Sequence, residues 1–129
     1  HAALRDCLRA GQEVMRPGAK SSDVSAAMWE VLGERGVTRS FPHGHGVGLE
    51  LRDYPIIVAD NGRRIQDDCV DVASDLPLEE NMVLNLESNL NIPGTGSLHV
   101  EMTFVVTANG AREIVPQDRG AAFLPNVAR

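Results

Sequence analysis

Three short segments carry the residue types and spacings that could do chemistry. In Phe41-Pro42-His43-Gly44-His45-Gly46-Val47-Gly48 two histidines stand two residues apart, so an extended backbone points both rings the same way. Glycines at 44, 46 and 48 let the main chain come close to whatever His45 touches. In Met82-Val83-Leu84-Asn85-Leu86-Glu87, strand periodicity puts Leu84 and Leu86 on one face and Asn85 and Glu87 on the other. In residues 98–107, Val100, Met102, Phe104 and Val106 share one face, and His99, Glu101 and Thr103 share the opposite one. If a hairpin pairs these two stretches, Glu87 and Glu101 enter the same space. Two carboxylates placed so repel each other unless a proton or a metal ion lies between them. Blander arrangements stay open at this point: a solvated sheet face for the glutamates, and a glycine-rich turn with two surface histidines. A phosphate-binding loop is the poorer reading, because the glycine spacing matches no nucleotide motif and no helix follows.

The elements that must position these residues are legible in the hydrophobic pattern. Leu4, Cys7, Leu8, Gly11, Val14 and Met15 fall on one face of a helix predicted over 2–15, and Pro17-Gly18 stops it. Ser21, Ser22 and Asp23 offer an N-cap for a second helix with a Val24, Met28, Val31, Leu32 stripe and a stop at Gly36. The short connection predicts an antiparallel helix pair. The alternation of Val47, Leu49 and Leu51 predicts a strand there. Residues 56–80 read as a short apolar start, Ile56-Ile57-Val58, followed by a long aspartate-rich surface loop. Strands over 82–92 and 98–107 are joined by Pro93-Gly94-Thr95-Gly96, and Ala108-Asn109-Gly110 precedes a short strand near 112–115. The tail from Pro116 has no period. Two helices and then a strand meander give an α+β class, with the helices on one face of a curved, mainly antiparallel sheet.

Bulk properties narrow the function class. The 129 residues suffice for one domain with its own core. A formal net charge of -6 argues against nucleic acid as a partner, since binding phosphates needs a basic face. No apolar run reaches membrane-spanning length. Two cysteines, Cys7 on a helical apolar face and Cys69 in a polar loop, make neither a disulfide framework nor a thiolate metal site. Reduced thiols in a cytoplasmic setting are therefore expected. Because the first residue is His1, the chain is expected to be a processed or separately made piece of something longer.

Taken in order, these segments resemble the second half of the M24 peptidase family, which includes methionine aminopeptidases, Xaa-Pro aminopeptidases, prolidases and creatinase. The resemblance rests on Gly44-His45-Gly46-Val47-Gly48-Leu49-Glu50 with Pro55 after it, on Asn81 through Glu87, and on His99-Val100-Glu101 leading into Thr103 through Gly110. Arg16-Pro17-Gly18-Ala19, between the helices, extends it to the start of the chain.

The resemblance implies one partial catalytic domain over 1–129, the C-terminal half of a pita-bread fold. It makes His45, Glu87 and Glu101 metal ligands, with Glu101 bridging two divalent ions drawn from manganese, iron, cobalt or zinc. It also implies hydrolysis by a metal-activated water, with Glu87 shuttling the proton, and His99 orienting Glu101 or contacting substrate. His43 lies near where prolidase-like relatives place a substrate histidine, although closer to His45 than in them.

Two departures qualify this. The family's two aspartate ligands precede the helix pair, and Asp60, Asp67, Asp68, Asp71 and Asp75 do not match them. A complementary N-terminal half, cleaved or separate, or a homo-oligomer such as a dimer, is therefore expected to complete the site. Arg52 stands where the peptidases usually have a substrate-contacting histidine. Arginine cannot shuttle a proton near neutral pH, but its planar fork holds a carboxylate. It could equally pair with Asp53 or another surface acid. Smaller departures are Ser88 where a proline is usual and Asn81 where a glycine is usual. Three readings follow: an Xaa-Pro peptidase-like dinuclear hydrolase, a C–N hydrolase or lyase acting on a small anionic substrate, or a pita-bread binding module without catalysis.

Overall fold

The computed structural model describes residues 1–60, 62–67, 70–73 and 75–115. Helix α1 spans Ala2–Val14 and α2 spans Ser21–Glu34, close to the predicted bounds. Leu4, Cys7, Leu8 and Gly11 are the buried face of α1, and Val24, Met28 and Leu32 that of α2. Asp6 pairs with Arg35, while Gly11 meets Met28, so the two helices run antiparallel. The α2 N-cap is Lys20 rather than one of the serines. Asp23 accepts its backbone N–H at 3.0 Å, and Ser21 is buried with its hydroxyl accepting from the Leu76 N–H. No helix among the described residues is long and apolar enough to cross a membrane.

The strands are β1 Ser40–Gly46, β2 Asp53–Ile57, β3 Arg64–Asp67, β4 Val70–Ala73, β5 Val83–Ile92, β6 Gly96–Thr107 and β7 Gly110–Glu113. Five form an antiparallel sheet in the order β2-β1-β5-β6-β7, and β3 and β4 pair separately. Helix α1 lies against β5, β6 and β7, and α2 against β1 and β2. The core is the layer between: Leu84 and Leu86 from β5, and Val100, Met102, Phe104 and Val106 from β6, all against the helix stripes. The period-2 reading assigned these side chains to this face. The opposite face therefore carries the odd-numbered residues of β5 and β6.

Two predictions about elements are corrected. The strand expected at 47–51 lies one element earlier, at β1. Residues 47–52 form a bend in which Leu49 and Leu51 stand fully and almost fully exposed. The register shifts between His45 and Gly46, and Asp53 accepts the Glu50 N–H at 3.2 Å, so the chain turns back into β2 instead of continuing. Alternating hydrophobicity there was a coincidence of composition: Val47 donates its N–H to the Val83 carbonyl at 2.8 Å, and among the described residues no strand pairing continues through 48–52. The aspartate-rich excursion contains the β3–β4 hairpin, clipped by Arg64 to Asp71 at 2.6 Å. Asp60, Asp71 and Asp75 have contacts inside this region or with Lys20 and Ser22. Cys69, Asp68 and the tail from Pro116 lie outside the described residues.

Close packing under the site explains one glycine. A Cβ at Gly44 would sit 2.6 Å from the Asn85 carbonyl oxygen and 2.8 Å from a Leu86 methyl. Asn81 occupies a left-handed conformation, φ 72, which Asn tolerates better than most side chains and which glycine accepts freely. Beneath β5, the Cys7 thiol is buried and touches Ser88, whose hydroxyl lies 2.9 Å from that of Ser40. Burial pushes this thiol up to about 11, and the Ser88 contact opposes the rise only in part.

Two measurements check this packing. Gly44→Ala should lose about 1–3 kcal/mol through overpacking. Gly33→Ala, in α2 with nothing within 4 Å of the added methyl, should gain roughly up to 1 kcal/mol of helix propensity; urea denaturation reads both. For Cys7, the unfolded thiol ionises near 9.0 and the folded one near 11. Its contribution to stability is thus complete below pH 9.0 and is lost as pH rises to about 11. Denaturation midpoints should fall across that window, and the fall should shrink in Cys7→Ala.

Candidate metal centre

Strand register assembles the site on the face away from the helices. Across β1, β5 and β6, one row reads His43–Glu87–Glu101 and the next reads His45–Asn85–Thr103. His99 sits opposite Asn89, one pair farther along the same face. Glu87 is the centre. Although it lies on the face the helices leave uncovered, it is only 7% exposed, because three imidazoles close over it. His45 Nε2 lies 3.0 Å from Glu87 Oε1, while His99 Nε2 and His43 Nε2 lie 3.0 and 3.4 Å from Oε2.

The ring orientations constrain the protons. His45 Nδ1 is 2.8 Å from the Gly46 carbonyl oxygen, and His43 Nδ1 is 3.2 Å from that of Phe41. A carbonyl only accepts, so in each neutral ring the proton is assigned to Nδ1. Both Nε2 atoms then turn a lone pair toward a carboxylate. His99 has carboxylates at both nitrogens, with Nδ1 3.6 Å from Glu101 Oε1. A neutral ring has one N–H, so one of these approaches is also lone pair to lone pair. Such contacts are favourable only with a cation between them, either extra protons or a metal ion. The donor set fits a divalent transition ion: imidazole nitrogens with carbonyl-bonded partner nitrogens, beside carboxylates.

Each site residue singled out in the sequence has a definite place. His43, His45, Glu87, His99 and Glu101 come together. Arg52 does not: it is exposed in the 47–52 bend, and among the described residues it makes no ion pair, with Asp53 or otherwise. Two residues not singled out for a role also belong here. Thr103 donates to Asn85 Oδ1 at 3.1 Å, and Asn85 Nδ2 donates to Glu101 Oε2 at 3.1 Å. This chain fixes one oxygen of Glu101 and leaves the other facing His99. The sequence signal was the alternation that put Asn85 beside Glu87 and Thr103 beside Glu101; the missing information was the register that set them across from each other.

The sequence pattern of the family described as "Metallopeptidase family M24" matches residues 1–108. Among curated proteins, the probable dipeptidase PepE of Mycobacterium tuberculosis is 34% identical over 113 residues, covering 86% of this chain and 27% of its own length. The Xaa-Pro dipeptidase of Pyrococcus furiosus is 31% identical over 109 residues, covering 83% and 28%. Among solved structures, dipeptidase PepE from Mycobacterium ulcerans superposes with a TM-score of 0.73 at 31% identity, covering 90% of this chain and 28% of that one. The prolidase from Pyrococcus furiosus gives 0.72 at 26%, covering 92% and 32%. The chain spans less than a third of the length of these relatives. Its helix pair and five-stranded sheet are the C-terminal half of the pita-bread fold, and the chain belongs to metallopeptidase family M24.

Proposed function

We propose that this chain is the C-terminal half of an M24-type dinuclear-metal hydrolase of Xaa-Pro peptidase kind, with His45, Glu87 and Glu101 as metal ligands. The observation that carries the reading is the convergence of imidazole lone pairs on one buried carboxylate, Glu87, whose cross-strand partner is a second carboxylate. A buried carboxylate beside unprotonated nitrogens and a second carboxylate is costly without a cation. Divalent ions held there would polarise a scissile carbonyl and lower the pKa of water. The oxygen-and-imidazole set suits manganese, iron, cobalt or zinc. The relatives' names, dipeptidase and Xaa-Pro dipeptidase, support a peptide substrate.

The chain's own residues divide the remaining work. Glu87 Oε2 accepts the proton of the attacking water and returns it to the leaving nitrogen. His43 Nε2, 3.4 Å from that oxygen, orients the substrate at the same place. His45 is held in one tautomer by the Gly46 carbonyl, which keeps Nε2 available as a ligand atom. Three donors leave the coordination of even one ion open, and a second ion needs further oxygens. A complementary segment or chain, or a second copy of this one, supplies them. A reducing, cytoplasmic setting belongs to the same reading and is supported by Cys7 as a free, buried thiol. Arg52, exposed in the bend after β1, holds the substrate's carboxylate with its guanidinium. It also favours the second reading, a C–N hydrolase or lyase acting on a small anionic substrate.

Elemental analysis of the chain assembled with its complementary half should find two transition ions per chain. Fewer than one, with no gain on reconstitution, sinks the dinuclear reading. Glu87→Gln should lower kcat/KM for a Xaa-Pro dipeptide by about 10²–10⁴-fold, the range spanned by a lost proton-transfer group, and reduce the metal content. Arg52→His in the metal-loaded assembly should raise KM for that dipeptide by about 10-fold or more, the loss of one hydrogen bond to a charged group. An unchanged KM would remove Arg52 from the site.

A further inference from the structure

We infer that His99 is itself a metal ligand, and that with Glu87 and Glu101 it lets this chain hold one transition ion without its complementary half. The inference rests on the metal reading above but adds a donor to it: an imidazole from β6, where that reading uses only the one from β1. One ligand atom from each of Glu87, His99 and Glu101 lies within 4.8 Å of the others, close enough for a single ion to touch all three. His45 stands on the other oxygen of Glu87, 3.0 Å from Oε1, and lies outside this group of three.

Three features point to ligation by His99 rather than support from a distance. First, among the described residues its two nitrogens contact only carboxylates, Glu87 Oε2 at 3.0 Å and Glu101 Oε1 at 3.6 Å. A histidine that merely orients a ligand gives its N–H to one carboxylate and turns the other nitrogen elsewhere. Second, Asn85 already holds Glu101 Oε2, so orienting that carboxylate does not require His99. Third, charge closes: two carboxylates with neutral imidazoles balance one divalent ion, whereas satisfying the same lone pairs with protons would gather several imidazolium groups side by side. His99 is 47% exposed, so an ion can reach the site from solvent and a substitution there leaves the core intact.

The test is cobalt(II) binding by the full 129-residue chain, followed by absorbance. The wild-type chain should bind one cobalt ion. His99→Ala should bind it at least about 100-fold more weakly, beyond the roughly 10- to 100-fold that loss of a supporting partner causes. His99→Cys should regain the ion and acquire a thiolate-to-cobalt charge-transfer band that the wild type, with its own Cys7 and Cys69, lacks. Circular dichroism confirms that both variants fold. Loss of affinity without a charge-transfer band in His99→Cys makes His99 a positioning residue and overturns the inference. So does undiminished binding by His99→Ala when Glu87→Gln abolishes it, which leaves the metal reading intact. Failure of the wild-type chain to bind cobalt overturns the inference alone, because the dinuclear reading falls only on the reconstituted assembly.

Discussion

The β5–β6 hairpin pairs from Val83–Val105 to Ile92–Gly96 in one continuous register, and that register places Glu87 directly opposite Glu101. Everything else on the site face follows from it. The same pairing sets Asn85 opposite Thr103 and Asn89 opposite His99, so the polar links to Glu101 and the third imidazole arrive together. A slip by one residue would turn Glu87 into the core and Leu86 toward solvent, because side chains alternate with a period of two. Burial of Leu84, Leu86, Met102 and Phe104 under the helices forbids that slip. The apolar layer thus holds the carboxylates in place against their mutual repulsion.

The second constraint is the pairing of β1 with β5. It carries His43 to Glu87 and His45 to Asn85, and it demands a very small residue between the two histidines. Gly44 meets this demand, lying against the Asn85 carbonyl and the Leu86 side chain. The glycine run is therefore a packing device that brings two imidazoles over a buried carboxylate. Its later members serve the turn: Gly46 and Gly48 lie close against residues 53 and 54, where the chain reverses into β2. A side chain at Gly44 or Gly46 would push β1 away from the backbone beside it, whereas one at Gly48 would meet only the Asp53 side chain.

The surface around this centre divides by charge and contact. Glu87 is enclosed by histidines, whereas Glu101 is half exposed and tethered by Asn85. Arg52 and the apolar Leu49 and Leu51 stand out from the bend beside β1, with nothing among the described residues covering them. One carboxylate of the pair is thus enclosed and the other is open to solvent.

Much of the fold was legible in the sequence, for reasons that differ by element. Both helices announced themselves through apolar stripes and a Pro-Gly stop, because a helix that must bury one face repeats that face every turn. The β5–β6 hairpin was legible because its two strands alternate cleanly and a glycine turn joins them. The β1 strand was misplaced, since glycines and histidines carry no hydrophobic period, and the exposed Val47, Leu49 and Leu51 mimicked one. The β3–β4 hairpin was missed because each strand is only four residues long, too short to show a period among the surrounding aspartates. The sequence by itself determined which side chains share a face: Asn85 with Glu87, and His99 with Glu101 and Thr103. Only the tertiary structure decided that three histidines converge on Glu87 and that Asn85 ties Thr103 to Glu101. Those contacts depend on inter-strand register, which is set by hydrogen bonds between segments distant in the chain, and the Phe41 and Gly46 carbonyls then fix the ring orientations locally.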